Sequence, residues 1–269
     1  FSKNSSSTRA IPLAKSIEQI KANPAQYIWT QNQAGMQGEV ITDAGTLHDL
    51  QETYLSAMEN AMYSAQKLAS LGAHKQNAGR LLEPFQNIRI VLTSTEWENW
   101  DWLRNHKDAQ GEIDVLAQAV YAARMNAIPM LLKAGEWHVP FVERERDSDG
   151  SLHYYTVDPT MLPHTVEYTA EQAKLISMSV CAQTSYRKAD YSLEKAYDLK
   201  GKLFDGDRVH ASPSEHQATP IYYVCDYLDA MYWEEGVTHM SRDGILWSGN
   251  FKGFIQHRQL LPNHDKAKF

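Results

Sequence analysis

Leu47, Leu50, Tyr54, Met58, Ala61, Ala65 and Leu68 recur at steps of three and four, so Gly45–Leu71 is predicted as one long amphipathic helix. Gly72 is placed to stop it. A shorter helix is predicted from His74 to Leu82, ending before Pro84. Ile88–Thr93 (IRIVLT) is brief and β-branched, the pattern of a strand. Thr95-Glu96-Trp97-Glu98 has a capping-box form and predicts a helix to about Arg104. Another helix begins at about Ala109, with Ile113, Leu116, Val120 and Ala123 on one face, and ends at Pro129. A second capping box, Thr169 to Gln172, opens a helix towards Cys181. Residues 192–204 predict one more helix, and Ile221–Val224 (IYYV) a strand. Residues 1–42 show no such period and are predicted irregular, and Glu143–Ser151 reads as a charged, solvated turn. With no tandem repeat or low-complexity linker, the pattern predicts an α+β chain forming a single interlocked domain over residues 1–269.

Composition narrows the class. Hydrophobic residues make up 43% and charged residues 22%, a globular profile. No apolar run approaches the roughly 18 residues a membrane helix needs, so no membrane partner is expected. Cys181 and Cys225 are too few for a disulfide framework, which makes a reducing cytoplasm the expected location. The net charge of -7 argues against polymeric nucleic acid but leaves room for a small anionic substrate. The chain opens on Phe1 rather than Met, and further residues are expected upstream.

Candidate chemistry gathers in three segments. Ser2-Lys3-Asn4-Ser5-Ser6-Ser7-Thr8-Arg9 offers hydroxyls, free backbone N–H groups and a forked cation, which suits either a phosphate cradle or a solvated tail. Arg80 to Glu112 carries Arg80, then Asn99 and Arg104 on a Trp-rich helix. There Trp97, Trp100 and Trp102 read best as core, and Asp108 is an ordinary ion-pair partner for Arg104 at i+4. His210-Ala211-Ser212-Pro213-Ser214-Glu215-His216-Gln217 matches no zinc-helix spacing, and Pro213 breaks a helix, so no metal is expected and a polar loop against a ligand is the better reading. There is no GxSxG, no P-loop and no GxGxxG opening a βαβ unit. Cys181 has no activating base beside it and reads as a buried, inert thiol.

Taken together, these segments resemble the flavin-dependent thymidylate synthases, whose signature is RHRxxSxNExSxRY. Ser2, Asn4, Ser7 and Arg9 fill the S-x-N-x-x-S-x-R frame, and the RHR part would fall just upstream of Phe1. Asn99-Trp100-Asp101-Trp102-Leu103-Arg104 and Ala109-Gln110-Gly111-Glu112-Ile113 resemble the family's NFxxLRxxxxAQxEI helix, with Arg80 as the Arg ahead of it. Ala182-Gln183-Thr184-Ser185 resembles the ARVS segment, and His210 to His216 the H-x-[ST]-P-x-EH segment. Both follow the second half here, whereas the family has them first. Gly249-Asn250-Phe251 to Gln256-His257-Arg258 echoes the strand and RHR that normally come next. The order suggests a circularly rearranged relative of the longer phage type. Ser5 stands where the signature has Glu, Ala10 where it has Tyr, and Gln183 where ARVS has Arg.

The resemblance implies that family's fold, with long helices packed on a mainly antiparallel sheet. It implies FAD as cofactor, with NADPH and methylenetetrahydrofolate as co-substrates, and reductive methylation of dUMP to dTMP without a cysteine nucleophile. Ser7, Arg9, Arg80 and Arg104 would hold the nucleotide, with Asn4 and Ser5 beside them. Ser7 and Arg9 would take the phosphate, and Arg104 would polarise the pyrimidine. Asn99, Ser185, Ser212, Glu215 and His106 would face FAD, with His210 near the flavin ring. Catalytic roles fall to Arg104, Ser7 and His210. A homo-oligomer, as a tetramer, is implied too. Two alternatives stay open: 5-hydroxymethylation of dUMP or another pyrimidine nucleotide, and an inactive nucleotide-binding scaffold.

Overall fold

The computed structural model of the chain describes residues 1–7, 10–35, 38–157, 165–186, 188–206, 208–222 and 232–265. The protein mixes α and β elements, and every strand pair among the described residues is antiparallel. Its residues group into two compact units, one of residues 1–6, 89–96 and 130–269, the other of residues 7–88 and 97–129.

The second unit is helical. Helices α1 (Leu13–Ala22), α2 (Ala44–Ser70) and α3 (Lys75–Gly79) lead into a 3-10 turn, Arg80–Phe85, followed later by α4 (Glu98–Arg104) and α5 (Gly111–Asn126). The inward stripe of α2 keeps Met58 and Ala65 of the predicted one and adds Met62, while Leu68 is exposed. Met58, Met62 and Ala65 are buried and pack with Ile17 and Ile20 of α1 and with Leu82 and Phe85. Burying each such Met, Ile or Leu contributes on the order of 1.5–3 kcal/mol. Asp43 caps α2 by accepting from Thr46 N at 2.8 Å. Gly72 at φ +89 ends it, a conformation costly for a residue with a Cβ. The region read as irregular contains α1. Leu13, Ile17 and Ile20 have helical spacing, but a ten-residue helix set between Pro12 and Pro24 leaves too short a run for the period to stand out. Pro84 does not stop the helix predicted to Leu82. The α-helix gives way at Arg80 to a 3-10 turn that contains Pro84, which lacks only an N–H.

The first unit holds strands β1 (Ser2–Ser5), β2 (Ile90–Thr93), β3 (Glu143–Arg146), β4 (Leu152–Val157) and β5 (Thr165–Tyr168). After helices α6 (Ala170–Ala182) and α7 (Leu193–Leu203) come β6 (Ala218–Pro220), β7 (His239–Met240), β8 (Leu246–Ser248), β9 (Phe251–Lys252) and β10 (Phe254–Gln256). They form the sheets β1-β2, β10-β6, β3-β4-β5 and β7-β8-β9. Trp137, Val139, Val142 and Tyr154 pack with Ala173, Ile176 and Val180 of α6 and Ala196 of α7 to make its core. The Thr169–Gln172 capping box forms as predicted, with Gln172 N donating to Thr169 Oγ1 and Thr169 N to Gln172 Oε1.

Three local expectations are corrected here. Glu143–Ser151 is not a bare turn, because Glu143–Arg146 pairs with Leu152–Tyr155 as a hairpin that exposes Glu143 and Glu145 and half-buries Arg144 and Arg146. Thr95 does not cap α4: its hydroxyl accepts from Lys252 N at 2.9 Å, and Trp97 takes the cap position with no side-chain bond. The predicted strand at 221–224 falls one element late, since β6 ends at Pro220. Residues 223 and 224 lie outside the described residues. Among the described residues no helix is long and apolar enough to cross a membrane.

Candidate functional site

In the first unit, β1 pairs with β2 in the register Ser2↔Thr93 to Ser5↔Ile90. The ladder turns alternate backbone groups of Ser2–Ser5 towards β2, and Ser6 N donates to Arg89 O at 2.8 Å, so fewer N–H groups are free here than expected. Alternation buries Ser2 and leaves Ser5 exposed. Asn4 Nδ2 donates to the Cys181 carbonyl at 3.3 Å, fastening the strand to the last turn of α6, just ahead of half-buried Ser185.

The segment His210–His216 forms a 3-10 turn over Ser212–Glu215 and packs beside β1. Pro213 and Ser214 are buried while Ser212 and His210 are exposed, so the turn anchors itself with its apolar side and presents its polar one. Glu215 is half-buried and ion-paired with Arg258. Gln256 Nε2 lies 3.0 Å from the Glu215 carbonyl, from Ser2 Oγ and from Asn250 Oδ1. The opening strand, the turn and the closing segment therefore meet at one buried amide. Gly249, at φ +58, is required beside it, because a Cβ there would come within 2.9 Å of Gln256 Oε1. Arg258 Nε is buried with no partner among the described residues.

Gln183, where the resembled segment has Arg, acts as a clamp. Its amide donates to Asp190 O at 3.0 Å and accepts from Asp190 N at 2.9 Å, closing the loop after α6. Cys181 is buried and free, and burial pushes its thiol up to about 12. A thiol so protonated is no nucleophile at neutral pH, in line with its reading as inert.

In the second unit, α4 carries Asn99 and Arg104. This helix has only seven residues, and α5 holds it. Arg124 Nη1 lies 2.9 and 2.8 Å from the two carboxylate oxygens of Asp101, and its guanidinium stands 5.0 Å over the Trp97 ring. Arg104 sits half-buried in the last turn of α4, where the helix dipole favours a cation. The expected pair with Asp108 does not form, because the helix ends at Arg104 and Asp108 turns to His106 at 3.6 Å. Arg104 has no hydrogen-bond or ion-pair partner among the described residues. Asn99 and His106 are exposed. Trp102, expected in the core, is 75% exposed, since the inward side of so short a helix is filled by Asp101 and Arg124.

Arg80 opens the 3-10 turn after α3 and is exposed, so no cost of burial holds it in place. Ser7 is half-buried, and its carbonyl accepts from Ala10 N at 3.0 Å. Arg9 lies outside the described residues. The structure thus brings Asn4, Ser212 and Glu215 together in one unit, with Ser185 following the helix that Asn4 holds. Ser7, Arg80, Asn99, Arg104 and His106 belong to the other.

Sequence reasoning missed the joining role of Gln256 and the positioning role of Arg124. Neither has a local signal, since their partners lie 254 and 23 positions away. Among the described residues no group of three His, Cys, Asp or Glu side chains is placed to hold a metal ion. Comparison of the chain with protein-family models, curated proteins and solved structures finds no match.

Proposed function

We propose that this chain is an FAD-dependent enzyme that methylates dUMP to dTMP, built on the α+β fold of the flavin-dependent thymidylate synthases. One observation carries the reading. Segments that resemble separate blocks of that family's signature, at Ser2–Asn4, Ser212–Glu215 and Asn250–Arg258, meet at the Gln256 amide in one unit. The donor set there fits a flavin dinucleotide. Arg258 Nε is an orphaned buried donor on a guanidinium paired with Glu215, and Ser212 of the same turn, with His210 just ahead of it, is exposed. Ser185, Ser212, Glu215 and His210 of this unit would face the cofactor.

Bound flavin would supply the hydride chemistry, with NADPH as reductant and methylenetetrahydrofolate as carbon source. The chain's own part is binding and electrostatics. The C5 of a uracil ring is a poor nucleophile and needs either covalent addition at C6 or stabilisation of charge pushed onto the ring. The buried thiol of Cys181 is unsuited to the first route. Arg104, with no acidic partner among the described residues, is free to pair with a pyrimidine oxygen and favour the electron-rich ring. Arg80, Ser7 and Arg9 would take the phosphate.

Self-association belongs to the same reading. Val115, Leu116, Met125 and Ile128, on and just beyond α5, are exposed, Ile128 at 96%. Exposed apolar side chains of this kind suit contact with further copies of the chain, up to the tetramer.

The test is direct. The purified protein shows flavin absorbance bands, and dUMP with methylenetetrahydrofolate and NADPH yields a product heavier by one methylene. A colourless protein that takes up no added FAD rejects the reading, and a hydroxymethyl product moves the assignment to the 5-hydroxymethylating alternative. Arg104→Ala abolishes turnover while flavin stays bound. Retained activity in that variant removes Arg104 from the chemistry.

A further inference from the structure

A second group of nitrogen donors in the first unit takes no part in that reading. Its first member is His138. The backbone of His138 pairs with Ala218 in both directions, at 2.7 and 3.1 Å, which sets it beside the strand that follows His216. The chain then reverses through Val139–Val142, with Val142 N donating to Val139 O at 3.2 Å and Phe141 held at φ +68. That turn returns the chain to β3, where Arg144 stands opposite Tyr154. Tyr154 Oη accepts from Trp137 N at 2.8 Å, so the Arg144–Tyr154 pair is drawn up to the peptide that precedes His138. Three segments converge, and the Arg144 charge adds to burial in disfavouring a charged His138, as His216 does when it is itself protonated.

Each of the three has unmet hydrogen-bonding capacity. Arg144 is half-buried and makes no hydrogen bond or ion pair among the described residues. Glu143, its chain neighbour, is the acid whose charge reaches it at neutral pH. His216 is fully buried. Its Nδ1 lies 2.9 Å from Thr93 Oγ1, while its Nε2 is buried with no partner among the described residues. With the Thr93 hydroxyl donating to Nδ1, Nε2 carries the ring proton and is a donor in want of an acceptor. Burial holds His138 and His216 down to about 4, so at neutral pH both rings are uncharged and each keeps one N–H.

An unpaired guanidinium beside two imidazole donors is the complement of an oxyanion; the fixed positive charge disfavours a metal ion. We propose that His138, Arg144 and His216 bind a small oxyanion, the phosphate monoester or carboxylate end of a metabolite. Arg144 supplies the charge, and the buried His216 N–H fixes orientation. The site stands on these residues alone and holds whether or not the chain binds flavin.

The experiment uses the full chain labelled with ¹⁵N in its histidines. Inorganic phosphate, and separately glutarate, is titrated in at pH 7 while ring nitrogen resonances are followed, with His138→Asn and His216→Asn providing assignments. Saturable shifts at both rings are expected, and the tighter of the two probes identifies the phosphate or the carboxylate source. Arg144→Gln should weaken binding by roughly tenfold or more, the equivalent of one lost charge-assisted bond, with partial recovery in Arg144→Lys. Bound anion should also raise the ring pKa of His138, which a purely structural cluster would not show. Shifts that fail to saturate, or that are as large in Arg144→Gln, overturn the proposal. Should Arg144→Gln not fold, saturation in the unsubstituted chain and its change in Arg144→Lys decide it.

Discussion

Gln256 Nε2 lies 3.0 Å from Ser2 Oγ, across 254 positions of sequence. The amide is only 2% exposed, and the same nitrogen reaches the Glu215 carbonyl, so one side chain satisfies groups from both ends of the chain and from the turn between them. Buried groups that lose such a partner keep the full cost of leaving water.

Gln256→Ala should therefore destabilise the protein by about 1–3 kcal/mol, with Ser2 and the Glu215 carbonyl left short of a partner. Denaturant unfolding measures it. Flavin content of the same variant should fall if the Ser212–Glu215 turn faces the cofactor, whereas a stability loss with unchanged flavin content would make the amide a purely structural brace.

Arg124→Ala should release α4 from α5. The bidentate pair with Asp101 and the Trp97 stacking are together worth roughly 1–2 kcal/mol. Because Arg104 rides on α4, turnover should drop at least tenfold with flavin retained, and KM for dUMP should rise. Unchanged kinetics would show that α4 holds its place without this brace.

Stability should fall on acidification. Burial holds His138 and His216 at about 4 and His257 at about 3, the last also disfavoured by the Lys174 charge. In the unfolded chain these rings take up protons at about 6.5, so below that pH the unfolded state binds more protons. Their contribution is present above pH 6.5 and is lost as pH falls towards 4. The melting temperature should decline through that window, and His216→Asn, which cannot titrate, should flatten the decline. An identical pH profile in the variant would contradict the assignment.

His153 should act with the opposite sign. Hydrogen bonds to Glu167 and Asp147, at 2.7 and 2.9 Å, raise its pKa to about 9. Its brace across the β3-β4-β5 sheet is present in full below pH 6.5 and fades as pH rises through about 9. The melting-temperature gap between the unsubstituted chain and His153→Gln should narrow over that interval.

Self-association should depend on α5. Leu116→Glu with Ile128→Glu places charge at two exposed apolar positions and should reduce the assembly to smaller species in light scattering, with the fold intact by circular dichroism. A particle of unchanged mass would locate the contact elsewhere.

Sequence by itself determined the elements whose cause is local. The 3.6-residue period of Leu47–Ala65 specifies α2, the Thr169–Gln172 box starts α6, and β-branched residues mark β2. The polar residues at Asn4, Arg104 and Glu215 are visible in the same way, as residue types in a pattern. Only the tertiary structure decided their partners. Gln256 meets Ser2, Thr95 serves Lys252 instead of capping α4, and Arg144 stands opposite Tyr154 with no ion-pair partner among the described residues. A period is written in neighbouring side chains, but a hydrogen bond between distant segments depends on the whole chain's packing, which no local window contains.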